Sequence, residues 1–143
     1  MRFMMLMIPK GYETAAPGAM PDAEAVAAMM KYNESLQKAG VLLALDGLHP
    51  PSMGARVSFS GGKPKVTDGP FAEAKEVLGG YWMIQVNSLE EAIQWAKRCP
   101  SPHDGDGEIE IRQVFEAEDF GAELTPELRA REERLRAEVA ARK

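Results

Sequence analysis

Three segments of this chain are apolar at successive positions, and they constrain the fold more than any other feature. They cover residues 3–8, 41–49 and 78–86, and Asp46 interrupts the second of them. A short apolar run bounded by turn residues is typical of a β-strand that is buried on both faces. Helices must therefore cover one face of the sheet, and a further layer must cover the other face.

Two helices are predicted between these strands. Asp22 can cap the first helix, and Gly40 is expected to stop it. Ser88 and Glu91 have the spacing of a capping box, so the second helix begins there and ends near Cys99. The apolar stripe of the first helix is predicted to consist of Val26, Met29, Met30 and Leu36.

Segments of alternating character supply the remaining strands. Residues 55–60 and 63–67 flank a Gly61-Gly62 turn and predict a β-hairpin. Residues 108–115 also alternate and predict a last strand. Without the hairpin, the order is strand-helix-strand twice. This order predicts an α+β fold with a ferredoxin-like βαββαβ sheet that carries both helices on one face.

Two helices on one face leave the other face of such a sheet uncovered. Its apolar side chains would stay in water, which is unfavourable for a contiguous patch. A second copy of the same sheet is the simplest cover. The sequence therefore predicts an obligate homodimer in the form of a dimeric α+β barrel.

Residues 118–143 are predicted to form a helical extension, separate from a domain formed by residues 1–117. Thr125 followed by Pro126 is typical of a helix start. Three pairs at i,i+4 spacing then favour the helix, namely Glu127–Arg131, Glu132–Arg136 and Glu138–Arg142. The apolar stripe is narrow, so a solvated helix and an arm that strengthens the dimer both fit the sequence.

Composition and charge exclude several classes of protein. The 143 residues carry a net charge of -5, which argues against nucleic-acid binding. A single cysteine, Cys99, excludes an internal disulfide bond. The apolar run at residues 3–8 is too short for a signal peptide, and no segment approaches the length of a membrane span. We therefore expect a cytoplasmic protein.

The sequence also contains a distinctive run, DGPFAEAKE at residues 68–76, followed by LGGY at residues 78–81. Further runs are RFMMLM near the start, then LDGLHPP, SLEEAIQWAKRCP and GEIEIRQV. Over residues 1–117 the chain resembles the DGPF-type subgroup of the YCII-related family. The resemblance implies a ferredoxin-like fold that dimerises into an α+β barrel. Most members of that subgroup have no established activity, and some broader relatives are small enzymes that use a His–Asp pair.

Two parts of the chain depart from the family pattern. The helix after Phe120 is an addition to the common core, and the loop around residues 12–20 matches the family less clearly. The family resemblance therefore bears on the fold of the first 117 residues and leaves the role of the last helix open.

His49 and Asp68 are the candidate acid–base residues. Histidine exchanges protons readily near neutral pH, and His49 is the only histidine on a predicted strand. Asp68 can act as a general base or orient a histidine. The alternatives stay open, because Asp68 before Gly69-Pro70 can simply form an Asx turn and a lone histidine is often packed or solvated.

A second set of residues is predicted to shape a ligand pocket, namely Phe71, Lys75, Glu76, Tyr81, Arg56 and Arg112. Lys75 is expected to hold a carboxylate of the ligand while an aromatic ring stacks against its body. The two arginines are further candidates for anion binding, although Glu110 can neutralise Arg112. Alternatively, Lys75 and Glu76 form an ordinary surface ion pair.

No cofactor or metal is expected. The two Gly-Gly pairs lack the strand-to-helix context of a nucleotide-binding loop. His103, Asp104 and Asp106 form only a weak set of metal ligands in a turn-rich loop.

These observations leave three hypotheses about function. The first is a homodimer that binds a small polar or anionic organic molecule in a barrel cleft. The second is a cofactor-independent proton-transfer enzyme, an isomerase or lyase, that uses the His49–Asp68 pair. The third is a non-catalytic accessory module that acts with a protein partner.

Overall fold

The computed structural model describes residues 1–72, 74–101 and 106–142. They form two compact units, Met1–Gln113 and Val114–Lys143. In chain order, the elements are β1 (Arg2–Pro9), α1 (Ala23–Lys38), β2 (Leu42–Gly47), β3 (Ala55–Ser60), β4 (Lys63–Asp68), β5 (Gly80–Gln85), α2 (Leu89–Lys97), β6 (Gly107–Gln113) and α3 (Pro126–Ala141). The predicted α+β class, with a C-terminal helix, is confirmed over the described residues.

Four strands form the main sheet, in the order β2-β5-β1-β6, and every neighbouring pair is antiparallel. The two central strands, β5 and β1, are distant in sequence and meet through pairs such as Met5 with Trp82. The remaining strands, β3 and β4, pair only with each other and form a separate hairpin sheet.

The core lies between the main sheet and helices α1 and α2. Alternate residues of β1 and β5 point to the helices, because side chains of a strand alternate between the two faces of its sheet. The buried cluster in the described residues consists of Phe3, Met5, Tyr32, Leu36, Val41, Trp82, Ile84, Val86 and Ala92. Both helices therefore cover the same face of the sheet.

Capping interactions fix where these two helices begin, as the sequence predicts. The Asp22 carboxylate accepts a hydrogen bond from the Ala25 amide at 2.8 Å. The Ser88 hydroxyl accepts one from the Glu91 amide at 3.1 Å, and the Glu91 carboxylate accepts one from the Asn87 amide at 2.9 Å. Each contact satisfies a donor that has no partner inside the helix.

The predicted apolar stripe of α1 is partly wrong. Leu36 is buried and Met29 packs against the core, but Val26 and Met30 are 45% and 54% exposed. Tyr32 is the other buried residue of this helix, and its hydroxyl donates a hydrogen bond to the Trp95 carbonyl at 2.8 Å. The buried face of this helix therefore consists of Tyr32 and Leu36, and the Tyr32 hydroxyl has its hydrogen bond satisfied.

The other face of the main sheet is partly exposed within this unit. Met4, Leu6 and Ile8 of β1 lie on it beside Tyr81 and Met83 of β5, and all five are half-buried. We call these five residues the open face. Its centre is apolar, as the sequence pattern predicts for a surface that requires a cover.

The β3–β4 hairpin turns at Gly61 and Gly62, which have φ values of 60° and 80°. Two successive positive φ values are typical of a tight hairpin turn and favour glycine. All residues of both strands are exposed. Val57 pairs with Val66, and with Phe59 they leave one face of the hairpin apolar.

The second unit contains α3. The Thr125 hydroxyl accepts a hydrogen bond from the Leu128 amide at 3.2 Å, so the predicted cap is present. Of the three predicted i,i+4 pairs, Glu132–Arg136 is the one that forms in the described part of the chain, with 2.6 Å between Arg136 Nε and Glu132 Oε1. Arg129 instead binds Glu118, at 3.0 Å.

Candidate functional site

A cleft that contains a predicted site residue surrounds His49. Its volume is about 600 Å³, within the range of about 300–1,000 Å³ that is usual for small-molecule pockets. It is lined by Pro9, Tyr12, Ala15, Ala19, Met20, Pro21, Met29, Gly47, Leu48, His49 and Gly79. We call it the His49 cleft. Its walls are mainly apolar, and His49 is its most versatile hydrogen-bonding group.

His49 lies just after β2 and not on it, because the strand ends at Gly47. The predicted strand at residues 41–49 is therefore too long at its end. Pro50 and Pro51 explain the early stop, since proline cannot donate to a strand ladder and restricts the residue before it. The imidazole consequently sits on a loop segment, where it is exposed at the edge of the cleft.

Two hydrogen bonds position the wall of the His49 cleft that is formed by the loop between β1 and α1. The Tyr12 hydroxyl donates to the Leu48 carbonyl, and the Ser52 hydroxyl donates to the Ala15 carbonyl at 3.1 Å. Burial raises the pKa of Tyr12 above its usual value. The loop between β1 and α1 is thereby joined to the segment that carries His49.

The DGPF turn docks directly beside this segment. The Gly69 amide donates a hydrogen bond to the Gly54 carbonyl at 2.9 Å. A Cβ atom on Gly69 would lie only 1.7 Å from the Pro51 carbonyl oxygen. Glycine is thus required at this position because the backbones of the turn and of Pro51 are in contact. The contact brings the segments of His49 and Asp68 next to each other.

Asp68 itself is exposed at the end of β4, where it pairs with Ala55 across the hairpin. Among the described residues, no hydrogen bond joins the Asp68 carboxylate to the His49 imidazole. Asp68 is also absent from the lining of the His49 cleft. The structure therefore places the two predicted acid–base residues on adjacent segments without pairing them.

Phe71 and Arg56 come together as predicted members of one site. The guanidinium carbon of Arg56 lies 4.1 Å from the centre of the Phe71 ring. Such a cation–π contact contributes about 0.5–1 kcal/mol at exposed positions. It holds the last residue of the DGPF turn against the base of the hairpin. Lys75 and Glu76 are exposed nearby in sequence, and they form no ion pair with each other in the described structure.

Tyr81 and Arg112 lie elsewhere, on the open-face side of the main sheet. The Tyr81 hydroxyl donates a hydrogen bond to the Asp46 carboxylate at 2.9 Å, and this bond raises the pKa of Tyr81. Arg112 binds Glu110 at 3.3 Å, so its predicted neutralisation is present. These two residues do not line the His49 cleft.

Close steric contacts also explain why glycine occupies both positions of the LGGY run. A Cβ atom on Gly79 would lie 2.7 Å from Cγ of Pro9, and one on Gly80 would lie 2.9 Å from the Asp46 carbonyl oxygen. Gly79 lines the His49 cleft beside Pro9. Gly79 therefore lets the chain before β5 approach the end of β1, and Gly80 lets β5 approach the end of β2.

Sequence analysis missed most of the walls of the His49 cleft, including Tyr12, Met20 and Met29. The available signal was the group of apolar residues in the Gly- and Pro-rich loop after β1, because apolar residues grouped on a surface often mark a binding site.

Of the weak metal-ligand set, His103 and Asp104 lie outside the described residues. Asp106 is described and binds Lys10 at 3.5 Å. In the described ranges, no three histidine, cysteine or acidic side chains are grouped as a metal site. None of the helices within those ranges is both long and apolar enough to cross a membrane.

Together, the fold and the site define a small α+β protein with a histidine-lined cleft at one end of an antiparallel sheet. The sequence pattern of the YCII-related domain matches residues 1–118, and the chain belongs to this family. An uncharacterized protein of Rhizobium meliloti (strain 1021) is 37% identical over 77 residues. The match covers 54% of this chain and 62% of the relative, so it spans less than two thirds of that protein.

Proposed function

We propose that this protein is a cytoplasmic homodimer of the DGPF-type subgroup that binds a small organic molecule in the His49 cleft. The observation that carries the proposal is the cleft itself, a volume of about 600 Å³ that contains a predicted site residue. Its apolar walls favour the carbon skeleton of a ligand, and the imidazole can donate or accept one hydrogen bond to a polar group.

The strand order supports a ferredoxin-like arrangement. The main sheet has two helices on one face and half-buried apolar residues on the other, which is the surface that a second sheet would cover. The apolar hairpin face formed by Val57, Phe59 and Val66 is a second surface that favours a partner, because an isolated two-stranded hairpin is marginally stable in water. Both features support a homodimeric α+β barrel.

Binding is better supported than proton transfer between His49 and Asp68. A general acid–base pair requires the two groups to be within hydrogen-bond reach, directly or through one water. The DGPF turn instead has a clear architectural role through Gly69 and the Arg56–Phe71 contact. The proton-transfer enzyme stays a prediction from the sequence.

A thermal-shift screen of a metabolite library tests the proposal. Ligand that binds the native state raises Tm by mass action. We expect at least one compound to raise Tm of the wild type, and we expect His49→Ala to lose that shift. Asp68→Ala, on the neighbouring segment, is the matched control and should retain it. A shift that survives His49→Ala and disappears in Asp68→Ala would contradict the assignment of the cleft.

A further inference from the structure

A second apolar chamber lies next to the His49 cleft. Its volume is about 610 Å³, and it is bounded by the N-terminal half of α1 and the end of β1. The two cavities share Pro9, Pro21 and Met29 as lining residues. We call the second cavity the distal chamber. Because three residues belong to both walls, the two spaces are adjacent.

The distal chamber explains why part of the α1 stripe is not in the core. Val26 and Met30 are both exposed to solvent, and both line this chamber. The other apolar stripe residues, Met29 and Leu36, contact the core. Exposed apolar side chains that gather around a concavity are typical of a surface that binds an apolar group.

We call the His49 cleft the proximal end and the distal chamber the distal end. The polar groups at these two ends differ. His49 lies at the proximal end, whereas Asp22 and Glu24 line the distal chamber. The Asp22 carboxylate already occupies the N-terminus of α1, since it accepts a hydrogen bond from the Ala25 amide. An anionic group is therefore repelled from the distal end, while an imidazole at the proximal end can donate a hydrogen bond to it.

From this arrangement we propose that the ligand is an elongated amphiphile with a single carboxylate head. The head lies at His49, and an unbranched apolar body passes Met29 into the distal chamber. This inference rests on the proposed function, because it assigns the ligand class of the same cleft. It differs from that function in requiring both cavities to be filled at once.

Straight-chain carboxylates from butanoate to decanoate, used below their micelle concentrations, are the probes. Each added methylene that becomes buried should strengthen binding by about fourfold, until the chain fills the distal chamber. Isothermal titration calorimetry measures this dependence on chain length. The shortest acids occupy only the His49 cleft. The affinity should therefore already increase with chain length at the short end of the series.

The methionines provide an independent readout of position. Met20 lines only the His49 cleft and Met30 lines only the distal chamber. In spectra of protein labelled with ¹³C at the methionine methyl groups, butanoate should shift Met20 but not Met30, and decanoate should shift both Met20 and Met30. Equal affinities along the series, or a Met30 signal that does not respond to decanoate, would overturn the proposed ligand class.

Two variants separate this proposal from the proposed function. Val26→Trp puts a much larger side chain on the wall of the distal chamber and should reduce decanoate affinity towards that of a short acid, with butanoate unaffected. Met30→Glu places a charge there and should have the same selective effect if the tryptophan variant folds poorly. Val139→Trp, an exposed valine of α3, is the control and should change neither affinity.

His49→Ala should weaken all chain lengths by a similar factor, because it removes the contact to the head. If binding depends on His49 but not on chain length, the ligand class is wrong and the proposed function stands. If neither the carboxylates nor the metabolite library shifts Met20, the proposed function is wrong as well.

Discussion

Gly69→Ala provides the sharpest test of how the DGPF turn is built. The new methyl group would lie 1.7 Å from the Pro51 carbonyl oxygen and 2.6 Å from the Pro51 carbonyl carbon. Real Cβ atoms essentially never come closer than 3.0 Å to a heavy atom outside their own residue and its chain neighbours, so the two backbones must separate by more than an ångström. Neither atom belongs to a flexible side chain, and the strain cannot be relieved by a rotamer change.

The expected cost has two parts. Overpacking typically costs about 1–3 kcal/mol. Separation also breaks the hydrogen bond from the Gly69 amide to the Gly54 carbonyl, now at 2.9 Å, which is worth about 1 kcal/mol. We therefore expect the free energy of unfolding to fall by about 2–4 kcal/mol, a large part of the roughly 5–15 kcal/mol that stabilises a typical domain.

Urea unfolding, followed by circular dichroism at one fixed protein concentration, measures this difference. With a slope of about 2 kcal/mol/M, the midpoint should fall by about 1–2 M urea. Gly54→Ala is the matched control, because its Cβ would lie at an ordinary 3.7 Å from the same Pro51 oxygen. Equal midpoints for the two variants would refute the conclusion that the turn docks on Pro51.

Three further predictions concern the core, the open face and the second unit. Burial raises the pKa of Tyr32 far above that of an unfolded tyrosine, so the free energy of unfolding should fall as pH rises above about 10. In urea titrations between pH 9 and 11, Tyr32→Phe should reduce that fall. Leu6→Glu puts a charge on the open face and should convert the proposed dimer to a monomer in sedimentation velocity, whereas Val26→Glu should not; a Leu6→Glu dimer would contradict the proposed barrel. Thr125→Ala should destabilise α3 by about 1 kcal/mol, and unchanged helicity by circular dichroism would contradict the observed cap.

Local interactions made much of the fold predictable. Asp22, Ser88 and Thr125 cap their helices in the structure because the signals act over three or four residues. The turn at Gly61 and Gly62 is equally local, since the required positive φ values belong to the residues themselves. Such elements depend little on the rest of the chain, and the sequence pattern is sufficient to find them.

Contacts between distant segments were not predictable in the same way. The packing of Gly69 on Pro51 joins residues that no periodic pattern relates, so Asp68-Gly69-Pro70 could be read only as a turn or as a site. The burial of Tyr32 also depends on a distant group, the Trp95 carbonyl. Periodicity reports which residues share a face, but it does not report what that face meets.

The residues of the candidate site also divide into those that the local sequence identifies and those that distant segments supply. His49 was identifiable as a candidate because histidine is rare in this chain and follows an apolar strand. Most of its surroundings come from a loop far away in sequence, through Tyr12 and Met20, and from α1, through Met29. Tyr81 and Arg112, which are predicted from the sequence to shape the ligand pocket, have partners of their own on the open-face side of the sheet.

The central claim is that the His49 cleft binds a small molecule. It is tested most directly by methionine methyl spectra of the full chain, recorded with each compound that raises Tm in the library screen. Met20 and Met29 line the cleft, whereas Met4 and Met83 lie on the open face. A stabilising compound should shift Met20 and Met29 and leave Met4 and Met83 in place. Stabilising compounds that shift only Met4 and Met83 would contradict the claim.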